Sequence, residues 1–134
     1  MALQKKVLVV DDEPDVLDFT RLVLRKAGIM VITARDAQEC LSKLEFEKTD
    51  LILLDVIMPG MNGYELCKKL KENPKTKDIP VALHTVLDRP QDREQAREVG
   101  ADGFLSKPMT AEDIISFVKK VEVFFSLPQY KVDG

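Results

Sequence analysis

The sequence predicts an α/β fold: a doubly wound, five-stranded parallel sheet in the order 2-1-3-4-5, with helices on both faces. Three observations point to it. Five short runs rich in Val, Ile and Leu are spread along the 134 residues, and most of them lack polar alternation. That is how strands buried on both faces of a parallel sheet read. A segment of helical period follows each run, and strict strand–helix alternation implies right-handed crossovers. Finally, acids, a hydroxyl and a lysine stand at the carboxyl ends of the runs, where open α/β sheets gather their function.

The first strand is expected over residues 6–10, "KVLVV", and it runs straight into Asp11, Asp12 and Glu13. Three consecutive acids repel one another unless a cation sits among them. In the helix that follows, Val16, Thr20, Val23 and Ala27 form one stripe, joined by Leu17 and Leu24, and Gly28 is a good residue to end it. The second strand is "IMVIT", 29–33, with a helix over about 36–47. The third is "DLILLD", 50–55, ending in Asp55 and followed by a helix over about 63–72. The fourth is "IPVALHT", 79–85, ending in Thr85, with a helix over about 89–99 that stops at Gly100. The fifth is "DGFLS", 102–106, leading to Lys107 and then to a helix over about 110–126 with Thr110 as N-cap.

In that strand order, strands one, three, four and five are neighbours, so Asp11, Asp12, Asp55, Thr85 and Lys107 converge on one edge. Three carboxylates in one pocket call for a hard divalent cation with oxygen ligands, and Mg2+ is the natural choice. The alternative is that Asp11, Asp12 and Glu13 only favour the helix dipole, which suffices for Glu13. A nucleotide site would need a glycine-rich turn after the first strand, and "DDEP" has no glycine and three acids.

The net charge of -3 lacks the basic footprint of sequence-independent nucleic-acid binding, so no direct contact with nucleic acid is expected. No apolar run approaches the roughly 20 residues of a membrane span, and no signal peptide opens the chain, so a cytoplasmic protein without membrane contact is expected. Cys40 and Cys67 fall in helical patterns without metal-ligand spacing and read as reduced, buried thiols.

The stretches "VLVVDDEPDV", "DLILLDVIMPGMNGYEL", "IPVALHT" and "GADGFLSKP" resemble, in order and spacing, the receiver domain of two-component response regulators over about residues 5–126. The resemblance implies a flavodoxin-like receiver domain over 1–126, with 127–134 as a tail or the start of a linker. It implies that Asp55 accepts a phosphoryl group from a histidine kinase or phosphotransfer protein. Asp12, Asp55 and the backbone carbonyl of Ile57 would ligate Mg2+, with Asp11 acting through water. Lys107 would pair with the phosphoryl oxygens and Thr85 would donate its hydroxyl. Phe104 would be the aromatic switch, and Lys107-Pro108 a cis peptide. Pro59 and Gly63 fit the loop into the third helix. Such a domain catalyses only its own phosphorylation and dephosphorylation.

Several residues depart from that pattern. His84, the only histidine, is expected to be a satisfied core residue. Val86 stands where the family more often has a small residue and narrows the access. Ile57 and Leu87 are apolar where they border the approach of water to Asp55, which favours a long-lived phosphoaspartate. In the last helix, Ile114, Val118, Val121 and Phe125 form a stripe, which Phe117 and Phe124 extend sideways, either as flanks of a well-covered core helix or as the border of a homodimer or output-partner surface. Two rival functions have sequence signatures of their own. An aspartyl phosphatase of the haloacid-dehalogenase type needs a second acid where this chain has Ile57, which cannot transfer a proton. A scaffold that is never phosphorylated would not need the full set of Asp11, Asp12, Asp55, Thr85 and Lys107.

Overall fold

Within residues 6–119, which the computed structural model describes, strands and helices alternate throughout. β1 is Lys6–Val10, α1 Pro14–Lys26, β2 Met30–Ala34, α2 Ala37–Leu44 and β3 Leu51–Leu54. α3 is Gly63–Glu72, β4 Val81–Thr85, α4 Pro90–Glu98, β5 Gly103–Ser106 and α5 Ala111–Lys119. The strands form one five-stranded parallel sheet in the order β2-β1-β3-β4-β5, as expected. The order puts β1 at the point where the winding reverses, with β3 beside it.

Side chains alternate across the pleat, and this splits the core in two. Val7, Val9, Leu51, Leu53, Ala82 and Leu105 face α1 and α5, where they meet Leu24, Ile114, Phe117 and Val118. Leu8, Val10, Ile52, Leu54, Val81 and Leu83 face the other helices, meeting Cys40, Leu66, Cys67, Leu70 and Ala96. Each fully buried Leu, Ile or Val contributes about 1.5–3 kcal/mol. Truncation of a central one such as Ile52 or Leu54 to Ala would therefore hurt most.

The helices begin where the sequence offers acceptors for their first amides. Asp36 accepts from the Glu39 amide at 2.8 Å, Asn62 from Glu65 at 2.9 Å and Thr110 from Asp113 at 3.1 Å. α1 instead starts with Pro14, whose fixed φ suits the first turn. Gly28, at φ 82°, ends that helix in the left-handed region. β4 begins two residues later than expected, after Pro80, which has no amide to give the ladder. In α1 the deeply buried positions are Thr20 and Leu24, while Val23 is only half-buried.

Of the two readings of the last helix, the core one holds at Phe117 and the partner surface there does not: Phe117 is 1% accessible and sits in the core under α5. α5 packs against α1 as well as the sheet, so its buried arc is wider than one wall requires, and Ile114, Phe117 and Val118 all fall inside it. Phe124, Val121, Phe125 and the expected domain limit at 126 lie outside the described residues.

Candidate functional site

β1 delivers Asp11 and Asp12 just past its last residue, and β3 delivers Asp55 beside them. The ladder carries on into these residues. The Asp11 amide donates to the Ala34 carbonyl at 3.0 Å, and the Asp55 amide to that of Val10 at 2.9 Å. Parallel register thus aligns the carboxylates at one sheet edge. Asp11 and Asp55 are buried, Asp12 is the most open, and one oxygen from each lies within 4.8 Å of the others. A hard divalent cation takes six or more oxygen ligands at 2.0–2.6 Å, so this donor set and spread fit one.

Lys107 follows β5, and its Nζ lies 2.6 Å from Asp11 Oδ2 and 3.7 Å from Asp55 Oδ1. This single ammonium only partly offsets three acids. Burial, and then the Asp11 charge, push the Asp55 carboxyl up to about 6, against the opposing pull of Lys107. Asp11 Oδ1 also accepts from the Glu13 amide at 3.0 Å, while the Glu13 side chain caps nothing. The turn into α1 is therefore held by the site's own acid.

Thr85 closes β4 and is fully buried. Its hydroxyl oxygen accepts from the Leu87 amide at 3.2 Å, and its carbonyl from the Lys107 amide at 2.8 Å. Phe104 lies inward, in the core under α3 and α4. The Arg93 guanidinium stands 4.8 Å from the Phe104 ring centre, while Arg93 Nε donates to Asp88 at 2.9 Å. Ser106 donates to the same Asp88 at 2.8 Å. These bonds, Ser106 first, hold the Asp88 carboxyl below its usual range. The loop after β4 is thereby tied to both α4 and β5. The Lys107-Pro108 peptide is cis.

The geometry adds features that sequence reasoning missed or read differently. Gly63 is obligatory: a Cβ there would come within 2.2 Å of the Asp55 carbonyl oxygen and 2.7 Å of the Val56 Cα. Its amide donates to the Val56 carbonyl at 2.8 Å, so the start of α3 lies directly on the acidic strand end. Asp92, which the sequence analysis did not single out, is buried. The Arg89 guanidinium grips it at 2.8 and 3.0 Å and holds its carboxyl down at about 2. Tyr64 of α3 donates to it at 3.3 Å, tying α3 to α4.

On the opposite side, a cavity of about 520 Å³ opens between α1 and the loop before α5. Asp12, Asp55 and Lys107 share its lining with Phe19, Ile57 and Val86. Ile57 is 53% and Val86 64% exposed, so the mouth of the acidic site is rimmed by bare apolar side chains. His84 lines the same cavity. It is buried, as expected, but not satisfied: its Nε2 has no hydrogen-bond partner. Cys40 and Cys67 are free and buried, their thiols pushed up to about 12 by burial.

The description "Response regulator receiver domain" belongs to the family model that matches residues 7–119. The chain is 38% identical over 119 residues to the alkaline phosphatase synthesis transcriptional regulatory protein PhoP of Bacillus subtilis, a match covering 89% of this chain and 49% of that protein. It is 40% identical over 117 residues to the response regulator PleD of Caulobacter vibrioides, covering 87% of this chain and 25% of PleD. The chain thus spans about half of the length of PhoP and a quarter of PleD. Its structure superposes on the chemotaxis response regulator CheY4 of Vibrio cholerae with a TM-score of 0.83 at 33% identity, covering 89% of this chain and 99% of that one.

Proposed function

The chain belongs to the response regulator receiver domain family of two-component systems, and on that premise we propose that Asp55 accepts a phosphoryl group from a histidine kinase or phosphotransfer protein. One observation carries the reading: three carboxylates within 4.8 Å of one another, with Lys107 2.6 Å from one and 3.7 Å from the second, at the ends of neighbouring strands. Phosphoryl transfer asks a protein mainly for positioning and charge neutralisation, and this set supplies both.

A carboxylate oxygen of Asp55 attacks phosphorus as the bond to the donor nitrogen breaks, and the electron pair leaves with the donor imidazole. Asp12, Asp55 and the Ile57 carbonyl are the groups that would hold Mg2+ directly, and Asp11 would support it from behind them. When bound, Mg2+ neutralises charge on the incoming phosphoryl oxygens. Lys107 pairs with those oxygens, and Thr85 turns its hydroxyl toward them, giving up the Leu87 amide. The loop after β4 follows, and Phe104, which already lies inward, is held in the space that is vacated, a packing switch biased by about two added negative charges. The apolar rim of Phe19, Ile57 and Val86 supports docking of the donor over the acidic mouth, since nothing else in the site needs exposed apolar surface.

The test is to incubate the protein with Mg2+ and acetyl phosphate and weigh it. A gain of one phosphoryl group is expected in the parent and none in Asp55→Asn or after chelation of Mg2+. Equal labelling of the Asn variant would move the acceptor elsewhere.

A further inference from the structure

His84 Nε2 is the one buried side-chain nitrogen or oxygen without a hydrogen-bond partner among the described residues. Such an atom needs an explanation, because native structures leave few of them. Its position suggests one. Alternation along β4 puts Val81 and Leu83 on the α3/α4 face and Ala82 on the α1/α5 face, so His84 shares the side of Ala82. Its partner across the ladder is Leu105, on the same face, and Lys107 lies two residues beyond Leu105. His84 and Lys107 therefore belong to the same face of neighbouring strands, and both line one cavity.

Lys107 is under-used in this arrangement. Its ammonium has three donors, yet makes one hydrogen bond, to Asp11 at 2.6 Å, with Asp55 farther off at 3.7 Å. Burial, and then the Lys107 charge, bring the His84 pKa down to about 4, so the ring is neutral near pH 7. A neutral imidazole carries one donor and one acceptor nitrogen. Beside an ammonium, the acceptor is the useful one.

We propose that His84 is a positioning residue for Lys107: with its proton on Nδ1, its Nε2 accepts a hydrogen bond from the Lys107 ammonium once that ammonium leaves Asp11 to follow a phosphoryl group on Asp55. The inference rests on Asp55 as acceptor. Asp11 cannot serve a divalent cation and hold Lys107 as tightly as before, so the ammonium is freed as the phosphoryl group arrives. The resting arrangement leaves a buried nitrogen unpaired, and the phosphorylated one pairs it. That difference between two states is what a switch requires, since a contact made equally in both shifts nothing.

The chain has a single histidine, so its imidazole nitrogens can be followed without overlap by 15N NMR. The protein is examined alone and with Mg2+ and beryllofluoride, a stand-in for the phosphoryl group, while the Thr85 and Phe104 resonances report the switch. The expected result is that Nε2 moves from the position of an unbonded acceptor nitrogen to that of a bonded one, with the ring still neutral. An unmoved Nε2, while Thr85 and Phe104 shift, would overturn the proposal. Two variants guard against a purely structural role. His84→Phe fills the space without an acceptor and should lower the ratio of switched to unswitched phosphoprotein roughly tenfold, whereas the amide oxygen of His84→Gln restores most of it. Equal ratios in both variants and the parent would also overturn it. Absence of any mass gain with acetyl phosphate would instead remove the acceptor reading beneath it.

Discussion

The two sides of the acidic edge are built differently. Toward α3 and α4 the contacts interlock. Gly63 leaves no room for a side chain, Asp92 ties Arg89 to Tyr64, and Asp88 ties Ser106 to Arg93 above the Phe104 ring. Toward α1 and α5 the same site opens into a cavity with a bare apolar rim and an unpaired histidine nitrogen. A switch has to receive a group from outside and pass the event inward. The open side suits the first task. The interlocked side suits the second, because its bonds hold one arrangement in place until charge at Asp55 favours another.

The sharpest way to break this contrast is to add one carbon on the tight side. Gly63→Ala forces a Cβ to within 2.2 Å of the Asp55 carbonyl oxygen, a backbone atom that cannot swing away. Overpacking of this kind is expected to destabilise by about 3 kcal/mol and to pull α3 off the acidic strand end. Urea unfolding measures the first effect, and weaker Mg2+ binding the second. A loss under 1 kcal/mol would mean that the β3–α3 loop is loose and the contrast is wrong.

A milder pair compares the two sides directly. Asp92→Ala removes the acceptor shared by the Arg89 backbone amide, the Arg89 guanidinium and Tyr64, and is expected to cost about 1–2 kcal/mol. Phe19→Ala, on the rim, is expected to stay within about 0.5 kcal/mol, as exposed substitutions usually do. If the rim variant costs as much as the buried one, the open side is not a free surface.

The strands and the meeting of Asp11, Asp12, Asp55 and Lys107 at one sheet edge were legible in the sequence, because they rest on local runs and on one topological rule. The contacts made between elements were not. Asp92 sits in "PQDREQARE", a mostly charged and polar helix; the approach of Tyr64 from α3 and the grip of Arg89 give it partners that the sequence does not show. Phe117 looked like a flank because the sequence does not reveal that α1 supplies α5 with a second wall. Gly63 could be assigned to a loop, but its necessity comes from a carbonyl eight residues earlier that folding brings against it. The burial of His84 followed from its place in a strand, whereas its unpaired Nε2 depends on which groups the neighbouring elements bring to it.

The most condition-dependent effect lies on the boundary between the two sides, at Asp55 itself. Burial and the Asp11 charge raise its folded pKa from 3.8 to about 6, so the folded chain holds this proton more tightly than the unfolded chain. The linkage sign follows: between about pH 4 and 6 the unfolded state has released the proton and the folded state has kept it, so stability falls as pH rises through that window. Without a divalent cation, Asp55→Asn removes this penalty. The variant should be more stable than the parent above pH 6, by about 1 kcal/mol once water at the open mouth screens the charges, and the gap should close by pH 4. Urea titrations of both proteins at pH 4, 5, 6 and 7 in a chelator give the curve. Saturating Mg2+ should shrink the gap at pH 7, because only the parent keeps the third carboxylate. A gap that stays constant across the pH range would show that the Asn variant gains by packing and not by relief of charge. The acids would then be comfortable without a cation, and the open side would have no electrostatic reason to admit one.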